Sequence, residues 1–165
     1  MSANIILIGM PGAGKSTVGV VLAKKLGMQF VDSDLVIQER TGRLLHTIIE
    51  EEGLEAFLNT EDEVNASLKY ENAVIATGGS AVYGKHAMEH LKSMGTVIYL
   101  KLPYDEIRNR LGDLNERGVA MKPGQTLREL YEERILLYEA YADMVCDCDG
   151  KMIREIVDDI IRLRK

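Results

Sequence analysis

Apolar residues fall along this chain in two alternating rhythms. Short runs at Ile5–Ile8, Phe30–Val31, Ala73–Ala76, Val97–Leu100 and Val145–Cys146 have the length of strands rather than helices. Between them, apolar residues return every three or four positions. Val18, Val21, Leu22 and Leu26 form one such stripe. Leu54, Phe57, Leu58, Val64 and Leu68 form another, within a helix predicted over 52–69. A helix is expected to begin near Leu35, another to surround His86, and a short one to run from Tyr104 to Leu111. Leu127, Leu130, Tyr131, Tyr138 and Tyr141 share a later helical face, and Ile153, Ile156, Val157, Ile160 and Ile161 mark a last helix that reads as core packing. Strands alternating with helices predict an α/β domain whose parallel sheet is covered on both faces. No repeat, low-complexity segment or linker interrupts the pattern, so residues 1–165 read as a single domain. Ligands in such sheets bind beyond the carboxyl ends of the strands, which directs attention to the residues just after each run.

After the first run comes Gly9-Met10-Pro11-Gly12-Ala13-Gly14-Lys15-Ser16-Thr17. It reads Gly, four residues, Gly-Lys-Ser, between a strand and a helix. Its glycines let the backbone turn where a Cβ would forbid it. Successive N–H groups and the helix N-terminus then face phosphates, Lys15 reaches the outer ones, and the Ser16 hydroxyl suits Mg²⁺. Without those flanks the stretch would be a Gly-rich helix cap; with them it predicts binding of a nucleoside triphosphate. The motif leaves the phosphate acceptor open.

Asp32-Ser33-Asp34 follows the second run. One carboxylate there suits Mg²⁺ through water and the other an acceptor hydroxyl. An N-cap for the next helix, from Ser33 or Asp34, explains the same residues equally well. Thr77-Gly78-Gly79-Ser80 follows the third run and allows close approach to a ligand or a tight turn. Two residues sit oddly on apolar stripes. Glu61 needs a partner or a route to water. Arg134 must pair with a buried acid, reach a bound anion or snorkel to solvent. His86 and His90, four apart, read as an exposed helical pair rather than a metal site. The stretch 112–124 holds three glycines and a proline and predicts a mobile lid, with Arg117 near its middle.

The 165 residues suffice for one core, and 46% hydrophobic with 28% charged residues is ordinary for a globular protein. A net charge of −6 without a basic patch argues against nucleic acid or an anionic membrane as partner. No run has membrane-spanning length, and the chain enters its first strand without a leader-like segment, so a cytoplasmic address is expected. Cys146 and Cys148, two apart, are explained by strand alternation.

Taken in order, Thr17-Val18-Gly19, Phe30-Val31-Asp32-Ser33-Asp34, Thr41-Gly42-Arg43, Thr77-Gly78-Gly79 and Glu133-Arg134 with Tyr138 occur at the distances found in shikimate kinases, and the chain resembles that family over nearly its whole length. The resemblance implies a three-layer P-loop NTPase fold of the nucleoside monophosphate kinase type. It would have a five-stranded parallel sheet flanked by helices, a lid over about 112–124 and substrate-binding helices over about 33–69. It implies a monomer that uses ATP and Mg²⁺ to phosphorylate a hydroxyl of shikimate, in aromatic amino acid biosynthesis. Gly12, Ala13, Gly14, Lys15, Ser16 and Thr17 would hold the ATP phosphates, with Arg110 near the adenine. Ser16 and Asp32 would serve the metal. Asp34 would orient the acceptor hydroxyl, Arg117 would act from the lid, and Arg134 would bind the substrate carboxylate beside Gly78, Gly79 and Ser80.

Three departures accompany the resemblance. Phe57-Leu58 stands where the family usually has Phe-Arg, Gly78-Gly79-Ser80 where it has three glycines, and Arg117-Gly118-Val119-Ala120 where it has Arg-Pro-Leu-Leu. The missing arginine is a main clamp on the shikimate carboxylate, and Arg43 or a lid residue are the candidate substitutes. A different small polyol or hydroxy acid is therefore an alternative acceptor. A nucleotide-binding regulator without catalysis is a further alternative, which the retained Lys15, Asp32, Asp34 and Arg117 argue against.

Overall fold

The computed structural model describes residues 4–112 and 119–165. Five strands, β1 (Asn4–Ile8), β2 (Gln29–Asp32), β3 (Ala73–Ala76), β4 (Gly95–Lys101) and β5 (Met144–Asp147), alternate with helices. The helices are α1 (Lys15–Leu26), α2 (Ser33–Thr41), α3 (Leu45–Glu52), α4 (Leu54–Ala66), α5 (Lys85–Met94), α6 (Tyr104–Leu111), α7 (Leu127–Tyr141) and α8 (Ile153–Leu163). Every strand pairing is parallel, in the order β2-β3-β1-β4-β5. β1 and β3 are buried along their full length, which is why they read as unbroken apolar runs instead of alternating ones.

That order fixes where ligands go. β1 lies at the centre, with β3 and β2 on one side and β4 and β5 on the other. The chain therefore leaves β1 at the point where the sheet changes direction, and the crevice there opens over the loop joining β1 to α1. Helix α1 lies close on β2: a Cβ at Gly19 would stand 2.6 Å from the Phe30 ring, so only glycine lets the two elements meet.

The helix expected over 52–69 is two helices in part. Gly53 adopts φ 92°, ψ 165°, ends α3 and starts α4, and α4 itself stops at Ala66. The preceding α3 went unread, although Leu45, Ile48 and Ile49 carry its spacing. Ile37, Ile48, Phe57, Val64 and Ala120 form a small apolar cluster of their own, apart from the main core around the sheet. Helices α2 to α4 thus pack as a flap on the crevice, with one contact, Ala120, from the described end of the proposed lid. Cys146 and Cys148 are both buried thiols, as strand alternation implied. Among the described residues no helix is long and apolar enough to cross a membrane.

Candidate active site

The loop after β1 is held open by its own lysine. Gly12 and Gly14 have φ of +82° and +95°, values a side chain resists, and Gly14 leads straight into α1. Lys15 folds back so that Nζ donates to the carbonyl oxygens of Gly9 and Met10 at 2.5 and 2.8 Å. Burial lowers its pKa to about 8, with Asp34 the largest opposing influence. An ammonium so placed gains full charge from any anion that enters the loop. The Ala13 N–H donates to the Met10 carbonyl at 3.1 Å, so of the loop residues expected to hold phosphates Ala13 spends its amide internally. Gly12, Gly14, Lys15, Ser16 and Thr17 line the cleft.

The cleft has a volume of about 390 Å³ and runs from this loop to the flap. Asp32 ends β2 and divides its two oxygens. Oδ1 accepts from the amides of Asp34 and Leu35 at 3.0 and 3.4 Å, and Oδ2 accepts from Ser16 Oγ at 3.1 Å. The N-cap of α2 is thus Asp32, not Ser33 or Asp34, and its second oxygen is left for Ser16. Freed of that task, Asp34 points into the cleft. Burial, then the charge of Asp32, raises its pKa to about 6 against the pull of Lys15. Its Oδ1 is buried without a hydrogen-bond partner among the described residues.

Across the cleft, Gly78, Gly79 and Ser80 form the floor beyond β3. A Cβ at Gly78 would collide with Asp34 Oδ1, and one at Gly79 would lie 2.6 Å from the Pro11 ring, so both must be glycine for space. The Tyr138 hydroxyl donates to the Gly79 carbonyl at 2.6 Å and fixes the floor to α7. Glu61 is buried behind it and accepts from the Ser80 hydroxyl at 2.7 Å. Burial pushes its carboxyl up to about 8, with Ser80 pulling it down. Arg134 is fully buried and lines the cleft, which overturns the solvent-reaching alternative. It donates to the Ala120 carbonyl, lies 5.4 Å over the Tyr83 ring, and leaves Nε without a partner among the described residues.

Other expectations fare differently. Arg110 stands at the end of α6 and donates to Glu106 Oε1 at 2.9 Å and to the Gly12 carbonyl at 3.2 Å, against the back of the phosphate loop. Arg43 is half-buried, paired with Glu51 and Glu52 and away from the cleft lining, so it is no substitute carboxylate clamp. His86 bonds Asp62 at 2.9 Å and His90 the Leu68 carbonyl at 2.5 Å, so the two rings have separate partners. Leu58 is half-buried against the flap cluster, one turn before Glu61. Arg117 lies outside the described residues, and only the two ends of the proposed lid, Gly112 and 119–124, are described. Leu45, Phe57, Val119 and Ala120 also line the cleft and were not foreseen. The spacing of Leu45 with Ile48 and Ile49 carried that signal; Phe57 looked like any core residue of its stripe.

The comparison with known proteins now has a geometry to meet. A family model described as shikimate kinase matches residues 11–164. The chain belongs to the shikimate kinase family. A shikimate kinase of Vibrio parahaemolyticus is 37% identical over 163 residues, 97% of this chain and 95% of that protein. One of Haemophilus influenzae is 37% identical over 164 residues, 97% of this chain and 91% of its own length. Among solved structures, shikimate kinase from Acinetobacter baumannii in complex with shikimate superposes with a TM-score of 0.88 at 34% identity, over 99% of this chain and 93% of that one. The enzyme from Aquifex aeolicus gives 0.83 at 34% identity, over 96% and 94%. The chain is an ATP-dependent phosphotransferase with an alcohol acceptor, as shikimate kinases are, and uses ATP and Mg²⁺.

The residues present fit those groups. Ser16 Oγ and Asp32 Oδ2 are hard oxygen donors of the kind that would hold Mg²⁺. When bound, Mg²⁺ neutralises charge on the phosphate oxygens.

The raised carboxyls have a consequence for stability. A carboxyl whose folded pKa exceeds its unfolded one holds its proton more tightly when folded. Its contribution to stability is complete below the unfolded value, 4.5 for Glu61, and is lost as pH rises through about 8. Glu61→Gln removes that loss. Its melting temperature is expected to exceed that of the parent by about 5 °C or more at pH 9, and by much less at pH 5, in differential scanning fluorimetry.

Proposed function

We propose that this chain transfers the γ-phosphoryl group of ATP to a hydroxyl of shikimate, with Asp34 receiving that hydroxyl. The observation that supports this most is the position of Asp34: it faces the cleft beside Lys15, its Oδ1 without a partner among the described residues and its pKa near 6. A carboxylate so poised accepts the hydroxyl hydrogen bond and takes its proton as the oxygen attacks. Lys15, Gly12, Gly14 and Thr17 hold the triphosphate, Ser16 and Asp32 hold the metal, and Arg110 lies on the adenine side. Arg134, with Gly78, Gly79 and Ser80, binds the acceptor. Arg117 acts from a lid over about 112–124 and excludes water during transfer. The helices over about 33–69 form the substrate flap of a single domain. The enzyme works as a cytoplasmic monomer within aromatic amino acid biosynthesis. Shikimate-dependent release of ADP, followed in a coupled assay, tests the proposal.

Leu58 favours a second reading in which the same chemistry serves another small polyol or hydroxy acid. An apolar side chain stands where an arginine would bridge to Glu61 and the acceptor carboxylate. Residues 58 and 61 are neighbours on one helical face, so Leu58→Arg gives Glu61 a cationic partner. Under the first reading the variant improves an existing activity: kcat/KM for shikimate is expected to rise about 10- to 100-fold, by the 1–3 kcal/mol or so of a charge-assisted contact. Under the second, shikimate turnover first appears in Leu58→Arg, while the parent turns over a different member of an acceptor panel.

A further inference from the structure

Ser80 is one of the positions at which this chain departs from three consecutive glycines, and the structure gives its hydroxyl a fixed direction. Ser80 is 6% exposed and lines the cleft. Its Oγ donates to Glu61 Oε1 at 2.7 Å, the one described side-chain hydrogen bond of Glu61. Glu61 is itself buried, and its Oε2 has no partner among the described residues. A hydroxyl has one proton and two lone pairs. With the proton committed to Glu61, only lone pairs remain for the cleft. Ionised Glu61 can only accept. Protonated on Oε2, it still offers Oε1 as a carbonyl oxygen, and Ser80 donates to that form as it does to the ionised one.

We infer that Ser80, oriented by Glu61, accepts a hydrogen bond from a hydroxyl of the acceptor other than the one phosphorylated, and so selects acceptors carrying a second donor group. This rests on the kinase reading above. A lone pair at that point attracts a hydroxyl and repels a carboxylate oxygen. Ser80 therefore shifts recognition from the acid group of the acceptor toward its hydroxyls. Asp34 Oδ1 and Glu61 Oε2 both approach the place where Gly78 would carry a side chain, Asp34 from the cleft and Glu61 from behind the floor. Glu61 is a positioning residue here: it touches Ser80, and Ser80 touches the acceptor.

The test is isothermal titration of shikimate, and of shikimate analogues with each non-reacting ring hydroxyl replaced by hydrogen, into the full chain with ADP and Mg²⁺. Ser80→Ala is expected to weaken shikimate binding about three- to tenfold, the value of one hydrogen bond, with ADP affinity unchanged. Ser80→Thr, which keeps the hydroxyl, recovers most of it. The parent should bind one deoxy analogue more weakly than shikimate, and Ser80→Ala should bind the two alike. Glu61→Ala should cost as much as Ser80→Ala, and the double variant no more than either. Equal shikimate affinity in the parent and Ser80→Ala, or a preference for the hydroxyl that survives in Ser80→Ala, overturns the inference and leaves the kinase reading intact. ADP binding without shikimate binding in the parent overturns the acceptor reading and the inference together.

Discussion

Lys15→Ala is expected to lower kcat by about 10²- to 10³-fold, the usual consequence of removing one electrostatic contact to a reacting group. Lys15 is the cation that the loop itself brings into the cleft, and among the described residues its ammonium donates to the Gly9 and Met10 carbonyls and to no carboxylate. Phosphate oxygens offer it a stronger interaction than those two carbonyls do. The variant leaves both carbonyls without this donor, so it should also lose about 1–2 kcal/mol of stability. Circular dichroism and a thermal melt separate that loss from the catalytic one. A folded Lys15→Ala protein with near-parental kcat would mean that the γ-phosphoryl group does not sit where the loop directs it.

Asp34→Asn is expected to lower kcat/KM for shikimate by about 10²- to 10⁴-fold, the range for loss of a general base. The amide keeps the shape and one acceptor oxygen but takes no proton. The pH dependence gives the sharper signature. Asp34 must be ionised to receive a proton, and burial has raised its pKa to about 6. Activity should therefore fall tenfold per unit below pH 6. Lys15 must be protonated, and burial has lowered its pKa to about 8, so a second fall is expected above that value. kcat/KM reports the free enzyme, so these limbs belong in its profile. Asp34→Asn should lose the acidic limb and keep the alkaline one. An acidic limb near 4 in the parent, or one that persists in Asp34→Asn, assigns the base elsewhere.

Much of this architecture was legible in the sequence, and for stated reasons. β1, β3 and β4 are buried on both faces, so their apolar runs are unambiguous. The phosphate loop is readable because its function constrains backbone and side chains over nine consecutive positions. Glu61 and Arg134 stood out because a charge on an apolar stripe is costly to bury and is seldom found without a purpose, and Asp34 because it follows the end of a strand. What failed was local. The boundary at Gly53 was missed because one glycine in a helical pattern is ordinarily tolerated, whereas here it takes a backbone conformation that no helix contains. The N-cap alternative falls on Asp32 rather than on Ser33 or Asp34, residues as good in that role; only the division of Asp32 between α2 and Ser16 decides it. Arg43 looked available because nothing in the order of residues reveals that Glu51 and Glu52 return to it across a turn. Glu61 and Ser80 lie 19 residues apart and meet only through the packing of α4 behind the floor.

The same packing separates positions around the acceptor end of the cleft by the room they have for change. Gly78 and Gly79 are confined by Asp34, Pro11 and Arg134, so substitution there displaces catalytic groups. Leu58 instead packs on the flap cluster with Phe57 and Ile48, a surface that accepts aliphatic volume readily. The structure can thus alter what it recognises without disturbing how it transfers phosphate.

The most direct measurement is ADP release by the purified chain with saturating ATP and Mg²⁺, in the presence and absence of shikimate, alongside Lys15→Ala prepared identically. The account predicts saturable, shikimate-dependent release that is lost in Lys15→Ala, with one phosphoryl group appearing on shikimate for each ADP formed. ADP release indifferent to shikimate, or equal in the parent and Lys15→Ala, would contradict it.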